Sequence, residues 1–336
     1  RAIVINSGNA NAMTGKKGFD SIKKYTNIIA KKINCSSKNI LVASTGVIGE
    51  QLNYKKINVA IPKLLEKSKK KCCSWNSFCQ SIMTTDTVPK FATKKIKFGK
   101  ETVYISGVAK GSGMIYPNMG TMLAFIFTDA NIPKNIINKI LLDGIKHSFN
   151  SITVDGDTST NDSVFFAATC KKKNISINSF KNSKYKKFVK QFNDLLLDLA
   201  KQIIKDGEGA KKLISISVKN AKTYLAARNI ALSVANSALV KTLFSSNELN
   251  FGRIFMAIGK SNEIIDQEKI SFSLDNQLLA KNGMLLIKNN SNKIKKCMNK
   301  KELSLEINLN NGKSHSTIYT CDLTNEYIKI NTSYLS

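Results

Sequence analysis

Thr121 is the residue of this 336-residue chain whose type and setting best suit nucleophilic chemistry. It follows Gly120 and precedes an apolar, strand-like run, Met122–Phe127. A threonine hydroxyl becomes a useful nucleophile when a base takes its proton, and cleavage of the bond before Thr121 would create that base as its own α-amino group. The pKa of an α-amino group is about 7.7–8.0, so part of it is unprotonated near neutrality. Alone, the pattern also fits a β-branched residue that simply starts a strand.

Five polar segments rich in Gly, Ser, Thr and Asn separate the apolar runs of the chain. They are residues 6–11, 44–49, 83–87, 110–114 and 155–162. Surface loops of this protein should carry its abundant lysines, yet these segments contain only Lys110. Small polar side chains and tight turns after strands are suited to the floor of a pocket. We therefore expect these segments to form a pocket rather than ordinary surface loops.

The formal net charge of +29 raises the alternative of a nucleic-acid-binding protein. Only three of the 52 basic residues are arginine, the residue that phosphate and base recognition favours. The lysines are dispersed along the chain and are not interleaved with aromatic residues. We interpret the charge as a compositional bias of a solvated surface and predict no nucleic-acid partner.

Cysteine and histidine usage argues against a metal site and against a disulfide framework. The seven cysteines are odd in number and form no CxxC pair, and the two histidines have no suitably spaced further ligand. No GxGxxG motif opens a helix after a strand, so a dinucleotide cofactor is not indicated. No apolar run reaches the roughly 18–20 residues of a membrane span. These features predict reduced thiols, a cytoplasmic location, and neither a membrane nor a metal partner.

Short β-type runs alternate with helical ones, which is typical of an α/β or α+β protein. Helices are predicted over Tyr185–Lys205 and Lys222–Phe244, and strands over Leu213–Val218, Ile254–Ile258 and Tyr327–Ile330. Two glycines within residues 207–209 break both patterns just before a strand-rich final third. The prediction is therefore a main unit over 1–210 and a C-terminal subdomain over 211–336.

In six segments that occur in order, the chain resembles the ornithine acetyltransferase family, the glutamate N-acetyltransferases of arginine biosynthesis. The segments are Asn6–Gly15, Ser44–Gly49, Met83–Lys90, Lys110–Ala130, Thr153–Asp162 and Asp206–Gly209, and the match continues through Ser237–Gly259 to the last residue. The resemblance implies an α+β fold, a layered α/β/β/α sandwich with self-processing like that of N-terminal nucleophile proteins. A smaller strand-rich C-terminal region would follow it.

The family processes itself at a threonine, and the resemblance places that cleavage between Gly120 and Thr121. It implies an α chain of residues 1–120 and a β chain of residues 121–336, assembled as two α and two β chains. Thr121 would be the nucleophile. Thr45 and Gly46 match the family's oxyanion-hole pair, a role that a hydroxyl and a backbone N–H can perform.

Six residues stand where the family has substrate contacts: Thr84, Lys110, Thr121, Glu208, Asn331 and Ser336. Lys110 would pair with the α-carboxylate of an amino acid, and Glu208 with the side-chain ammonium of ornithine. Thr85 is an alternative to Thr84, because the two are adjacent. Asn331 and Ser336 would bring the end of the chain into the pocket.

The implied reaction moves the acetyl group of N2-acetyl-L-ornithine to L-glutamate through an acetyl-threonine intermediate and needs no cofactor. Some family members also use acetyl-CoA as donor, which this sequence leaves open. The other alternative is an aminopeptidase of similar fold with the same type of nucleophile.

Three departures from the family pattern accompany the resemblance. Gly120 replaces a usual alanine, and Phe251 replaces a usual tryptophan as a core residue. We also expect that some tens of N-terminal family residues precede Arg1.

Overall fold

The computed structural model describes residues 1–70, 74–116, 122–246, 249–286 and 291–333. The predicted processing site, Gly120 and Thr121, and the predicted substrate contact Ser336 lie outside the described residues. The strands are β1 (Ala2–Asn6), β2 (Ile40–Ser44), β3 (Lys90–Phe98), β4 (Glu101–Lys110), β5 (Leu123–Asn131), β6 (Ser163–Ser176), β7 (Leu213–Ala221), β8 (Ser271–Leu274), β9 (Gln277–Lys281), β10 (Met284–Leu285), β11 (Glu302–Asn308) and β12 (Ser314–Cys321). The helices are α1 (Gly15–Lys32), α2 (Tyr54–Lys69), α3 (Trp75–Ile82), α4 (Lys134–Lys146), α5 (Ser183–Lys205), α6 (Tyr224–Ala235), α7 (Ala238–Ser245), α8 (Gly252–Gly259), α9 (Ser291–Met298) and α10 (Asn325–Ser333).

A four-stranded sheet in the order β3-β4-β5-β6 organises the first two thirds of the chain. Side chains of a strand alternate between its two faces, and β5 shows this clearly. Leu123 and Phe125 belong to the apolar cluster on one face, and Ala124 and Ile126 to the cluster on the other. Because both faces are apolar, this sheet must be covered on both sides.

The two faces are covered differently, which produces four layers. Helices α4 and α5 pack on one face. The parallel pair β1-β2 packs on the other together with α3, and α1 and α2 cover the far side of that pair. The order is thus helix, sheet, sheet, helix, and the predicted α+β sandwich is confirmed.

A six-stranded sheet in the order β10-β9-β8-β11-β7-β12 follows in the C-terminal part. A separate apolar cluster fills the space between this sheet and helices α6, α7 and α8. Phe251, predicted as a core residue, is fully buried there. The division of the chain at residues 210 and 211 stays a prediction.

Three local predictions are wrong. Residues 254–258 lie in helix α8, not in a strand, and the buried Ile254, Ala257 and Ile258 have the spacing of one helical face. Residues 327–330 lie in helix α10. The helix predicted over 222–244 is divided between Ala235 and Ala238, because the Ser237 side chain accepts the N–H of Val240 and begins a second helix.

Among the described residues, no helix combines the length and the apolar character that a membrane crossing requires.

Candidate functional site

A cavity of about 440 Å³ collects six of the residues that the resemblance singles out. Its lining consists of Thr45, Gly46, Thr84, Thr85, Lys110, Ser112, Gly113, Met114, Asp155, Asp157, Thr158, Glu208, Tyr327 and Asn331. Four of the five predicted pocket segments contribute to it, whereas residues 6–11 do not line it. The chain thus brings together the ends of β2 and β4, the turn after α5, and helix α10.

Lys110, the last residue of β4, is only 1% exposed and contacts two hydroxyls of the cavity. Its Nζ donates to Thr45 Oγ1 over 3.1 Å and to Thr84 Oγ1 over 2.9 Å. An ammonium group can only donate, so both hydroxyl oxygens must act as acceptors in these bonds. Each threonine therefore keeps its own hydroxyl hydrogen for another acceptor.

Gly46 follows Thr45 in a conformation that only glycine adopts easily, with φ +126°. A Cβ atom at this position would lie 2.2 Å from the carbonyl carbon of Gly8, so any side chain would clash with the backbone. The N–H groups of Thr45 and Val47 donate to the carbonyls of Asn6 and Gly8. Within the described residues, the Gly46 N–H between them has no acceptor, and Gly46 lines the cavity. The Thr45 hydroxyl and the Gly46 N–H thus belong to adjacent residues, and each can donate a hydrogen bond to a ligand in the cavity.

The Lys110 ammonium is buried, and burial disfavours its charged form. Burial lowers the pKa of this ammonium below the ordinary value, and Asp86, whose Oδ2 lies 4.0 Å from Nζ, opposes that shift. Two of the three N–H groups of the ammonium are used by Thr45 and Thr84. A ligand carboxylate that reached the third would relieve the desolvation of this charge.

Glu208 brings a carboxylate to the same cavity from the turn that follows α5. Its N–H donates to the Ser112 carbonyl over 2.9 Å, and Asn331 Nδ2 donates to its Oε2 over 2.8 Å. A Cβ atom on Gly113 would lie 2.5 Å from Glu208 Oε1, so the carboxylate can occupy this place only beside a glycine. Asn331, predicted as a substrate contact, is therefore also a partner of Glu208.

Both candidate threonines of the 83–87 segment line the cavity, with different partners. Thr84 Oγ1 contacts Lys110, and Thr85 Oγ1 lies 2.6 Å from the Ser112 hydroxyl. Of these two threonines, Thr84 is the one that is bonded to the Lys110 ammonium.

Asp162 supports the chain immediately after the predicted processing site. Its Oδ1 accepts the N–H of Met122 over 2.6 Å, and its buried Oδ2 has no hydrogen-bond partner among the described residues. Burial raises the pKa of this carboxyl from about 3.8 to about 8, against the opposing effects of the Met122 N–H and Lys110. The N–H that Asp162 holds belongs to the peptide group linking Thr121 to Met122.

We expect Asp162 to make stability fall as pH rises. The folded chain keeps a proton on Asp162 that the unfolded chain loses above about pH 4, so the stability it contributes is complete below that pH and is lost as pH rises to about 8. In Asp162→Asn, the decrease of the free energy of unfolding between these two pH values should be absent. The measurement is urea unfolding at pH 5 and pH 9 on a Thr121→Ala background, which lacks the hydroxyl predicted to cleave the chain. Equal pH dependence with and without Asp162→Asn would contradict the assignment.

Of two further lining residues, Tyr327 escapes prediction from sequence, and Asp155 is predicted only as part of a pocket segment. Tyr327 lies on α10, in a run interpreted as a strand, and burial raises the pKa of its phenol to about 12. Asp155 belongs to a predicted pocket segment, but its carboxylate accepts the N–H groups of Met114 and Ile115 and so serves the loop itself. A helical interpretation of residues 325–333 is the signal that could have identified Tyr327.

Comparisons with known proteins identify the family of this chain. The ArgJ family model matches residues 1–336. An arginine biosynthesis bifunctional protein ArgJ from Bradyrhizobium diazoefficiens is 43% identical over 339 residues, covering 100% of this chain and 82% of that protein. One from Nitrobacter winogradskyi is 42% identical over 338 residues, covering 100% and 81%.

A solved structure is similar as well. The crystal structure of arginine biosynthesis bifunctional protein argJ from Bacillus halodurans matches with a TM-score of 0.60 and 34% identity, over 62% of this chain and 98% of that one. The resemblance found in the sequence motifs is confirmed: the chain belongs to the ArgJ family and is an arginine-biosynthesis enzyme of the ornithine acetyltransferase type.

Proposed function

We propose that this enzyme transfers the acetyl group of N2-acetyl-L-ornithine to L-glutamate through an acetyl ester on Thr121. The observation that carries the proposal is one cavity that holds a buried ammonium, a carboxylate, and an adjacent hydroxyl and N–H. An α-carboxylate and a side-chain ammonium are the charged groups of N-acetylornithine. Lys110 and Glu208 are their natural partners.

The first half-reaction forms the ester. The Thr121 hydroxyl oxygen attacks the acetyl carbonyl carbon, and the hydroxyl proton passes to the free α-amine of Thr121. Negative charge then develops on the acetyl oxygen, where the Thr45 hydroxyl and the Gly46 N–H donate to it. The bond from the acetyl carbon to the ornithine nitrogen breaks, that nitrogen takes the proton, and ornithine leaves.

The second half-reaction reverses these steps with another amine. The α-amine of glutamate attacks the ester carbonyl and loses a proton, and the Thr121 oxygen leaves as the hydroxyl. The same two donors stabilise the second oxyanion. The acetyl group passes between two amino acids, so this route requires no cofactor. Acetyl-CoA is an alternative donor that the sequence leaves open.

We expect parallel double-reciprocal plots when N-acetylornithine and glutamate are varied together. One ester shared by two half-reactions produces this ping-pong pattern. The measurement follows ornithine release at several fixed glutamate concentrations, with Thr121→Ala as the blank. Intersecting lines would argue against the covalent intermediate, and hydrolysis of peptide amides without acetyl transfer would favour the aminopeptidase alternative.

Self-cleavage between Gly120 and Thr121 is part of the proposal, because it creates the amine that serves as base. The resulting chains, 1–120 and 121–336, would assemble as two α and two β chains. The five cysteines in the described part of the chain are free, which suits a reducing compartment such as the cytoplasm.

A further inference from the structure

A chain of alternating charges is buried beside the cavity without lining it. Lys90, the first residue of β3, is 1% exposed, and its Nζ lies 2.6 Å from Asp86 Oδ1 and 2.5 Å from Asp206 Oδ2. Asp86 and Asp206 are themselves buried. One ammonium thus joins two carboxylates that are 120 residues apart in the sequence. The three residues are referred to below as the charge bridge.

One end of the charge bridge holds the Lys110 side of the cavity. Asp86 accepts the N–H of Gly111 over 2.7 Å at Oδ1 and the N–H of Thr84 over 3.1 Å at Oδ2. The same Oδ2 is the nearby anion of Lys110. Asp86 therefore holds the backbone at Gly111 and at Thr84, beside the two ends of the Lys110–Thr84 hydrogen bond. It is also the carboxylate that lies near the Lys110 ammonium.

The other end holds the Glu208 side. Asp206 is the C-cap residue that follows helix α5 and stands two residues before Glu208. Its carboxylate accepts the N–H and the hydroxyl of Thr87 and the N–H of Val88. The turn that carries Glu208 is thus attached to the segment that carries Thr84.

Buried ion pairs contribute little net stability, since desolvation of the charges offsets their attraction. Their directional geometry can nevertheless select one arrangement of the elements that they join. Here the elements joined are those that bear the cation and the anion of the cavity.

We propose that the charge bridge sets the distance between Lys110 and Glu208 and thereby the length of the diamino acid that the enzyme accepts. The inference rests on the proposed function, in which Lys110 meets the α-carboxylate and Glu208 the side-chain ammonium. Lys90 is then a positioning residue, because it touches neither group. A substrate with one methylene more or fewer would fail to reach both charges.

The test compares three donors that differ by one methylene: the N2-acetyl derivatives of 2,4-diaminobutyrate, ornithine and lysine. Their kcat/KM values are measured with the wild type and with Lys90→Met, which keeps the length of the side chain and removes its charge. One methylene is worth roughly 10- to 200-fold in discrimination. We expect Lys90→Met to lower the preference for the ornithine derivative at least about tenfold and to raise its KM more than it lowers kcat.

Lys212→Met is the matched control. The Lys212 ammonium is half-buried and donates to the carbonyls of Phe244 and Met298, outside the charge bridge. Loss of this lysine should leave the preference for the ornithine derivative unchanged. A general loosening of the fold would lower the preference in both variants, and that outcome would overturn the inference.

Lys90→Met leaves Asp86 and Asp206 buried without their shared cation, so it can prevent folding. In that case Lys90→Met combined with Asp206→Asn is assayed, because it removes one cation and one anion together. An unchanged preference in the folded variant would overturn the inference. It would mean that the hydrogen bond from the Glu208 N–H to the Ser112 carbonyl is enough to set the distance between Lys110 and Glu208. A wild type that does not transfer acetyl from N-acetylornithine would overturn the proposed function as well.

Discussion

Thr121→Ala is expected to abolish acetyl transfer and to leave the chain in one piece. In the proposed mechanism the Thr121 hydroxyl attacks the Gly120 carbonyl during processing and the acetyl carbonyl during turnover, and alanine lacks this hydroxyl. Intact-mass measurement should find two fragments for the wild type, and for Thr121→Ala a single species near the 37.1 kDa of the whole chain. Ornithine release from N-acetylornithine should fall to the level of the blank.

The described residues that follow Thr121 support this expectation. Lys110 pairs with Leu123 at the start of β5, and Asp162 holds the N–H of Met122. The chain is therefore fixed beside the cavity one residue after Thr121.

Thr121→Ser is the matched control for the nucleophile. Serine keeps both a hydroxyl and, after cleavage, an α-amine, so this variant should still form two chains and retain measurable transfer. Active wild-type protein that is continuous through residues 120 and 121 would contradict the mechanism at its first step.

Thr45→Ala is expected to lower kcat by about 10²–10³ with little change in KM, as loss of one oxyanion donor does in other enzymes. The Thr45 oxygen accepts from Lys110, so its hydrogen is available to an oxyanion that exists only during the reaction. Because the bound substrate has not yet developed that charge, its affinity should be nearly unaffected. Steady-state kinetics with N-acetylornithine provide both constants.

Thr84→Ala distinguishes this role from a simple disturbance of Lys110. Thr84 accepts from the same ammonium, over 2.9 Å. If Thr84 is a substrate contact, its loss should act mainly on KM, whereas Thr45→Ala acts on kcat. Equal effects of the two variants on kcat would assign the loss to Lys110 and contradict the oxyanion role.

Sequence reasoning succeeded where the signal is local. The apolar stripe of Tyr185–Lys205 identifies helix α5, which begins at Ser183. The polar segments, whose single lysine is Lys110, identify four parts of the cavity lining, because the solvent-facing surface of this chain is rich in lysine and the pocket is not. Motifs in a fixed order were enough to identify the family.

A short apolar run is compatible with either a helix or a strand, and its contacts with distant parts of the chain determine which one forms. Residues 327–330 alternate like a strand, yet they lie in α10. A Cβ atom on Gly209 would lie 2.4 Å from the backbone nitrogen of Tyr327, so only a glycine in the turn after α5 allows this close approach. That contact joins positions more than a hundred residues apart, and no local pattern contains it.

The amino-acid sequence by itself determined the family, the α+β class and the candidate site residues, since these depend on residue types and their order. Only the tertiary structure decided which charges meet. Lys90 is one lysine among many in the sequence, and although it ends one of the family segments, its residue type alone does not reveal that it is buried between two carboxylates. Its burial between Asp86 and Asp206 distinguishes it, because an ion pair depends on distances through space.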